Sequence, residues 1–199
     1  MDNHTVNRID VHPIFDRYSL YNDHFDGELE YPGDALGRDC MIAAFQPGKP
    51  GFMRLYKDDG TRNENWFSWK ARVYAPINGK IIYLYINEIV NVPGSQNPSR
   101  SSALLIQRDD GITVMLGHIQ DPVVSLGDTV EEGQLIAYVG NNGFARCPHI
   151  HIGAYKDHTP LAIDFDPKKV AKVRERVGEA FWLTGLSEEE FERVMGTSL

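Results

Sequence analysis

Two histidines separated by a single residue, His149 and His151, are the strongest chemical signal in this sequence. Residues i and i+2 of a β-strand point to the same face, so the two imidazoles would lie side by side with Ile150 turned into the core. Neighbouring imidazoles suit zinc ligation, or one metal ligand beside one acid–base group. Structural histidine pairs have the same spacing, so the pattern needs support from the rest of the chain.

The region around this pair, residues 71–165, has the composition of a β domain. Runs rich in Ile, Val, Leu and Tyr alternate with turn signals such as Asn78-Gly79 and Asp109-Asp110-Gly111. The predicted strands are 73–75, 80–90, 103–108, 112–116, 135–139 and 149–155. Short strands at this spacing favour a mostly β fold with a sandwich or barrel-like sheet over a parallel α/β fold.

The two ends of the chain differ from this central domain. Residues 1–70 are irregular, but the run 40–45 predicts a short buried strand and 46–51 a turn. Asp166-Pro167 predicts a helix start, with proline at the first helical position. Apolar residues then follow at helical spacing, and a second short helix is expected to begin at Ser187. The apolar residues are Val170, Val173, Val177 and Phe181. We expect an N-terminal extension (1–70), a β domain (71–165) and C-terminal helices (166–199) in one compact unit.

Four collinear stretches carry a more specific signal. They are 73–81, Leu116-Gly117-His118-Ile119, 124–137 with its Gly-Asp-x-Val-x-x-Gly-Gln run, and Gly140-Asn141-Asn142-Gly143 followed by 147–153. Together they resemble the corresponding segments of the LytM-like (lysostaphin-type) zinc metallopeptidases, family M23. The Gly-Asp-x-Val-x-x-Gly-Gln run also occurs in lipoyl-type and sugar-phosphotransferase carrier domains, so the histidines decide the family. The resemblance implies an antiparallel M23/LytM-like sheet core, the duplicated hybrid motif.

The resemblance also implies a role for each of three histidines. His151 would be a zinc ligand, while His149 and His118 would flank the zinc-bound water and stabilise the tetrahedral intermediate. Zinc would lower the pKa of that water toward about 7 and polarise the scissile carbonyl. The family cleaves peptide bonds, often glycine-rich ones in bacterial cell-wall cross-bridges, so the implied substrate is a peptide or peptidoglycan.

The remaining metal ligands come, in the family, from a His-x-Gly-x-Asp-like segment on an earlier strand. Gly37-Arg38-Asp39 fits the second half of this segment and makes Asp39 a ligand candidate, supplied by the N-terminal extension. The expected histidine position holds Ala35. Three alternatives follow for the third ligand: Asp34, which we prefer because it is close to Asp39 in sequence, His24, or no replacement.

Composition excludes several function classes. The net charge of −8 argues against a nonspecific nucleic-acid binder and against a surface for anionic lipid. No apolar run approaches the length of a membrane span. The first residues show no basic region followed by an apolar stretch, so the sequence as given carries no recognisable secretory signal. It leaves the location open between cytoplasm and cell envelope.

Two functions from different classes compete with the peptidase. One is a degenerate LytM-like domain that binds a peptide, a glycan or a partner protein without hydrolysis, and Ala35 favours it. Retention of His118, His149, His151 and Asp39 favours the enzyme. The other is a histidine phosphocarrier on a related sheet, which the metal-type aspartate and the His-x-His pair disfavour.

Two further features have both a structural and a functional interpretation. The segment 66–69, with two tryptophans, suits core packing or the wall of a substrate groove. Arg146 is either a surface cation or a group that holds a substrate carboxylate. Phe144 is expected only to span a turn. Cys40 and Cys147 are expected to be free thiols, with a single disulfide between them as the alternative.

Overall fold

The fold is built almost wholly from short strands. The computed structural model describes residues 6–44, 53–177 and 189. Within these residues the strands are β1 (Arg8–Val11), β2 (Ser19–Asp23), β3 (Arg38–Ile42), β4 (Arg72–Tyr74), β5 (Gly79–Tyr85), β6 (Ala103–Gln107), β7 (Thr113–Gly117), β8 (Ile119–Gln120), β9 (Thr129–Val130), β10 (Leu135–Val139), β11 (Ile150–Lys156) and β12 (Thr159–Phe165). One α-helix, α1 (Pro167–Val177), follows them.

The strands form a large sheet and a small one. The large sheet runs β1-β12-β11-β7-β6-β5-β9, and β2 and β3 join it where β3 pairs with β11. The small sheet has the order β4-β10-β8. Every pairing is antiparallel except that of β1 with β12. The mostly β fold with an antiparallel sheet and a short C-terminal helix is therefore confirmed.

A single apolar cluster packs both sheets together. Ile106, Leu116 and Ile150 of the large sheet are completely buried, as are Ile136 and Val139 of the small one. Most consecutive positions of β6, β7 and β11 are buried, so these strands are covered on both faces and their sequences are nearly continuous apolar runs. Burial of each such side chain contributes about 1.5–3 kcal/mol. This core fixes the sheet on whose opposite face the histidines lie.

Strand β11 is the element on which the rest of the site converges. One of its edges pairs with β7 along 151–155. The other edge is divided, with β3 pairing at 150–152 and β12 at 154–156. Gly153 lies at this division, and a side chain there would collide with the carbonyl oxygen of Gly33. The glycine lets the 31–34 turn pack directly onto β11.

The predicted strands agree well with the observed ones in the centre of the chain and less well towards its ends. The 135–139 strand is found with those bounds, and the 149–155 strand is shifted by one residue. The 40–45 strand instead spans Arg38–Ile42, and the turn predicted at 46–51 lies outside the described residues. Strand β12, which pairs with β11, was not predicted. Pro160 lies near its start, and a proline inside such a run argues against a regular strand.

The C-terminal helix begins as predicted. Its first residue is Pro167, and the Asp166 carboxylate accepts a hydrogen bond of 2.8 Å from the Lys168 amide, which caps the helix. Val173 is buried. Phe181 lies outside the described residues, as does the second predicted helix apart from Glu189. No helix in the described part of the chain has both the length and the apolar character needed to cross a membrane.

Candidate metal centre

The His149-Ile150-His151 pair has the geometry expected of a strand. Ile150 is completely buried in the core, while His149 and His151 lie on the other face with 7% and 5% of their surface exposed. His151 is directly opposite Gly117 of β7 and opposite Asp39 of β3. The β11 ladder therefore brings Asp39, more than a hundred residues away in sequence, beside the imidazole of His151.

His24 reaches the same point from the neighbouring strand. β2 pairs with β3 so that Asn22 lies opposite Asp39, and the His24 amide extends the ladder with a 2.8 Å hydrogen bond to the Gly37 carbonyl. His24 and Asp39 are thus diagonal neighbours on one face of the hairpin. The His24 and His151 rings have their centroids 4.9 Å apart.

These three side chains offer one ligand atom each to a common point. Atoms of His24, Asp39 and His151 lie within 4.8 Å of one another. The Asp39 Oδ1 is 3.1 Å from Nδ1 of His151 and 3.7 Å from Nε2 of His24. A tetrahedral zinc ion with bonds of about 2.0–2.1 Å separates its ligand atoms by about 3.3 Å. The two separations from Asp39 lie on either side of this value, so two imidazoles and a carboxylate are grouped closely enough to be candidate zinc ligands.

Residues 33 and 34 contact the outer ring nitrogens of His24 and His151, that is, the nitrogens that point away from Asp39. His151 Nε2 lies 3.0 Å from the Asp34 carboxylate and 3.3 Å from the Gly33 carbonyl oxygen. His24 Nδ1 lies 3.1 Å from the Asp34 carbonyl oxygen. A carbonyl oxygen only accepts, so each outer nitrogen carries a proton, and each inner nitrogen faces Asp39. Ligating histidines typically have such a partner on the far side of the ring.

The glycine at position 37 leaves room for the His151 ring. A side chain on Gly37 would come within 2.6 Å of Cε1 and 2.8 Å of Nε2 of His151. Real Cβ atoms do not approach so closely, so even alanine would force the ring to move. In the Gly37-Arg38-Asp39 segment, the glycine therefore leaves space for the His151 ring and the aspartate places its carboxylate beside that ring.

His118 and His149 form a second pair beside these three residues. Their ring centroids are 4.5 Å apart. His118 Nδ1 donates to the Asn142 carbonyl at 2.9 Å and His149 Nδ1 to the Cys147 carbonyl at 2.8 Å, so both Nε2 atoms keep a free lone pair. His118 links β7 to β8 in a left-handed conformation with φ of 61°. A non-glycine residue in that region costs free energy and is typical of functional positions.

Burial keeps this second pair uncharged. It lowers the pKa of His118 to about 3, and it also lowers the pKa of His149. His149 Nε2 is 3.6 Å from Asp39, which is within ion-pair distance. The neutral ring makes that contact a polar one and not a salt bridge. Two neutral imidazoles are suited to accept hydrogen bonds from water.

His151 has the opposite electrostatic environment. Burial disfavours its charged form, but the hydrogen bonds from its ring to Asp34 and Asp39 outweigh burial and raise its pKa to about 9. The Asp39 carboxyl is also desolvated, yet its hydrogen bond with His151 and the three nearby imidazoles hold its pKa well below the usual range. Such mutually perturbed groups in a cleft are typical of functional sites.

The five residues open onto a groove of about 870 Å³. One wall is formed by the β2–β3 hairpin and its connecting loop, including Leu29, Tyr31 and Met41. The opposite wall is formed by residues of the 96–102 loop and by Phe144 and Arg146. A cleft of this size with apolar walls and a few convergent polar groups is typical of a ligand site.

Some groove residues were not predicted, and some predicted ones lie elsewhere. Phe144 was expected only to span a turn, but it lines the groove with 63% of its surface exposed. The Trp66 ring instead packs on Tyr56, and the Ser68 hydroxyl accepts a hydrogen bond from the Ile42 amide, which favours the core-packing interpretation of 66–69. Cys40 and Cys147 are free thiols, as expected.

Three solved structures that resemble this chain are distant from it in sequence. The catalytic domain of lysostaphin from Staphylococcus simulans is 18% identical, with a TM-score of 0.45 over 72% of this chain and 88% of that domain. A zinc-containing peptidase from Vibrio cholerae is 19% identical with a TM-score of 0.45, and the match covers 78% of this chain but 41% of that protein. Pseudoalterin, an M23 metalloprotease from the deep sea, is 14% identical with a TM-score of 0.44, over 80% and 75% of the two chains.

The family assignment comes from the sequence itself. No curated protein sequence matches the chain significantly. The family model described as peptidase family M23 matches residues 67–163. This segment contains His118, His149 and His151 but begins after His24 and Asp39, so the placement of those two residues depends on the geometry described above. Residues 67–163, just under half of the chain, carry this match to peptidase family M23.

Proposed function

We propose that this chain is a zinc-dependent peptidase whose metal is held by His24, Asp39 and His151. The observation that carries the proposal is the convergence of their three ligand atoms within 4.8 Å. Three protein ligands with one open position are the arrangement of hydrolytic zinc sites. The groove above them, with a volume of about 870 Å³, is large enough for a small ligand such as a short peptide.

His24 is a better third ligand than Asp34. Its Nε2 faces Asp39, whereas the Asp34 carboxylate contacts the outer nitrogen of His151, on the far side of that ring from Asp39. We therefore assign Asp34 a positioning role, in which its side chain orients His151 and its carbonyl orients His24. This assignment differs from the preference that the sequence alone suggested.

The catalytic groups are the free Nε2 atoms of His118 and His149. Zinc, when bound, would polarise the scissile carbonyl and lower the pKa of the attacking water. The two Nε2 atoms accept hydrogen bonds from that water and orient it toward the carbonyl. One of them then takes its proton and delivers it to the departing amine nitrogen. Because both rings are neutral and buried, they are in the protonation state that this proton transfer requires.

Hydrolysis of peptides by the purified chain tests the proposal. A zinc-loaded sample should cleave glycine-rich peptides or peptidoglycan cross-bridges, a metal-stripped sample should not, and added zinc should restore cleavage. The matched control is His158→Ala, since His158 lies in the turn between β11 and β12 and does not line the groove. Zinc that binds stoichiometrically without cleavage of either substrate would contradict a peptidase function.

A domain that binds a peptide, glycan or protein partner without hydrolysis is the second candidate. The buried Ala35, at the position where the family has a histidine, favours it. The two functions differ in one readout. A binding domain would retain peptide affinity after His118→Ala and show no turnover to lose, whereas the peptidase should retain affinity and lose turnover.

A further inference from the structure

The two walls of the groove differ in charge. The hairpin wall contributes Asp34 and Asp39, whose carboxylates are taken up by the histidines. The opposite wall contributes Arg100 and Arg146. No other lysine or arginine among the described residues lines the groove. In a chain of net charge −8, two cations on one wall are a local exception to the overall charge.

Arg146 is held in place but is not neutralised. Its Nε donates to the Gln96 side chain at 2.7 Å, and its carbonyl accepts from the Gly94 amide at 2.8 Å. These contacts fix one edge of the guanidinium and leave its terminal nitrogens for a ligand. Within the described part of the chain, Arg146 has no carboxylate at ion-pair distance.

Arg100 is positioned by aromatic rings. Its guanidinium carbon lies 5.2 Å from the Tyr83 ring centroid and 5.0 Å from that of Tyr85. Stacking of this kind orients the planar group and leaves its edge available for hydrogen bonds. Arg100 also has no ion-pair partner within residues 6–44 and 53–177. Burial raises the pKa of Tyr31 on the opposite wall to about 12, and the Arg100 charge opposes that rise, so its field crosses the groove.

We propose that Arg100 and Arg146 form a subsite for a carboxylate of the bound peptide. Unpaired, pre-positioned guanidinium groups bind carboxylates through charge-assisted and often bidentate hydrogen bonds. The carboxylate is either the free C-terminus of the peptide or an Asp or Glu side chain. The inference rests on the proposed peptide-binding function of the groove and adds a class of substrate, peptides with a carboxylate close to the scissile bond.

Equilibrium binding of paired peptides to the full-length chain, with and without zinc, tests the subsite. The first pair is acetyl-Gly-Phe-Gly with a free carboxylate or a C-terminal amide. The second is acetyl-Gly-Phe-Glu-Gly-amide and its Gln counterpart. We expect about tenfold tighter binding of the charged member of one pair, the effect of a hydrogen bond to a charged group. The pair that discriminates identifies the source of the carboxylate.

Substitution of the two arginines tests whether they cause the tighter binding of the charged peptide. Arg100→Gln and Arg146→Gln should each reduce the preference severalfold, and 0.5 M salt should weaken it in the parent chain. Arg108→Gln is the matched control, because Arg108 is paired with Asp110 in the β6–β7 turn and does not line the groove. Equal binding within both pairs, or a preference that survives both substitutions, would overturn the subsite. Because binding is read without turnover, failure of the peptidase proposal would appear separately, as charged-peptide binding without cleavage.

Discussion

At the scale of single residues, the decisive feature is which nitrogen of each imidazole is already occupied. In His118 and His149, Nδ1 donates a hydrogen bond to a backbone carbonyl and Nε2 keeps its lone pair. In His24 it is Nδ1, and in His151 it is Nε2, that contacts Asp34. Four histidines in one groove thus separate into two that suit proton transfer and two that suit metal binding.

Substitution of the two kinds of histidine should therefore have different effects, on turnover for His118 and His149 and on zinc binding for His151. His149→Ala and His118→Ala should each lower kcat by about 10²-fold or more, the scale of a positioned acid–base group, while zinc remains stoichiometric. His151→Ala should remove the metal. Turnover on a peptide substrate and zinc content of the same samples are the two measurements. Loss of zinc from His149→Ala would mean that ligand and acid–base roles are exchanged.

The sequence singled out four residues that line this groove, but it did not prefer His24. His118, His149, His151 and Asp39 could be identified because they occur in recognisable segments. The sequence favoured Asp34 over His24 because Asp34 is close to Asp39 along the chain. It held no information on the β2–β3 register or on which nitrogen of His151 faces inward, and these decide between the two. Arg100 was missed for a related reason, since only its stacking on two tyrosines distinguishes it from an ordinary surface arginine.

At the scale of elements, the site depends on how closely the β2–β3 hairpin packs against β11. The hairpin adds to the edge of β11 through only three residue pairs, 38–40 with 150–152. The face between them has no spare volume at Gly37 or Gly153. The hairpin therefore controls the distance between Asp39 and the histidines.

Gly37→Ala tests this close packing. The added methyl group would displace the His151 ring, so we expect at least a tenfold loss of zinc affinity with little change in the far-UV circular dichroism spectrum. Gly27→Ala is the control, because Gly27 lies in the same β2–β3 connection with open space around it. Its positive φ makes that substitution mildly strained, but zinc affinity should be unchanged. Equal zinc affinity in the two variants would contradict the packing argument.

The elements themselves were predictable to different degrees. Strands β6, β7 and β10 carry runs of buried aliphatic residues between turn signals, and these runs located them. β2 has a single buried residue among five, so its sequence lacks the alternation that identifies a strand. It is a strand because β3 pairs with it, a long-range cause that local sequence does not record.

At the scale of the whole molecule, the site links pH to stability in the metal-free protein. The pKa of His151 is raised from 6.5 to about 9 in the folded chain, so its charged contacts with Asp34 and Asp39 stabilise the fold fully below pH 6.5. That contribution is lost as pH rises toward 9. His118 and His149, whose pKa values are lowered, change stability only below pH 6.5. The interval between pH 6.5 and 8 therefore reports mainly on His151, because the Cys40 and Cys147 thiols, whose pKa values are raised by burial, add a loss of the same sign only near pH 9.

Urea denaturation of the metal-stripped chain measures this link. The free energy of unfolding should fall by on the order of 2 kcal/mol between pH 6.5 and 8, the linkage expected from a shift of this direction and size. His151→Gln should be less stable at pH 6.5 and should show a flatter profile. A parent chain whose stability rises over this interval would contradict the predicted ionisation of His151.

The zinc affinities of His24→Ala and Asp34→Ala, measured by competition with a chelator, decide which of the two side chains binds the metal. If His24 is a ligand and Asp34 only orients the imidazoles, His24→Ala should lose stoichiometric zinc. Asp34→Ala should still bind one zinc ion, with affinity reduced by about 10–100-fold, as is typical when an outer partner of a ligating histidine is removed. Loss of zinc from Asp34→Ala together with unchanged affinity in His24→Ala would contradict the proposed metal centre.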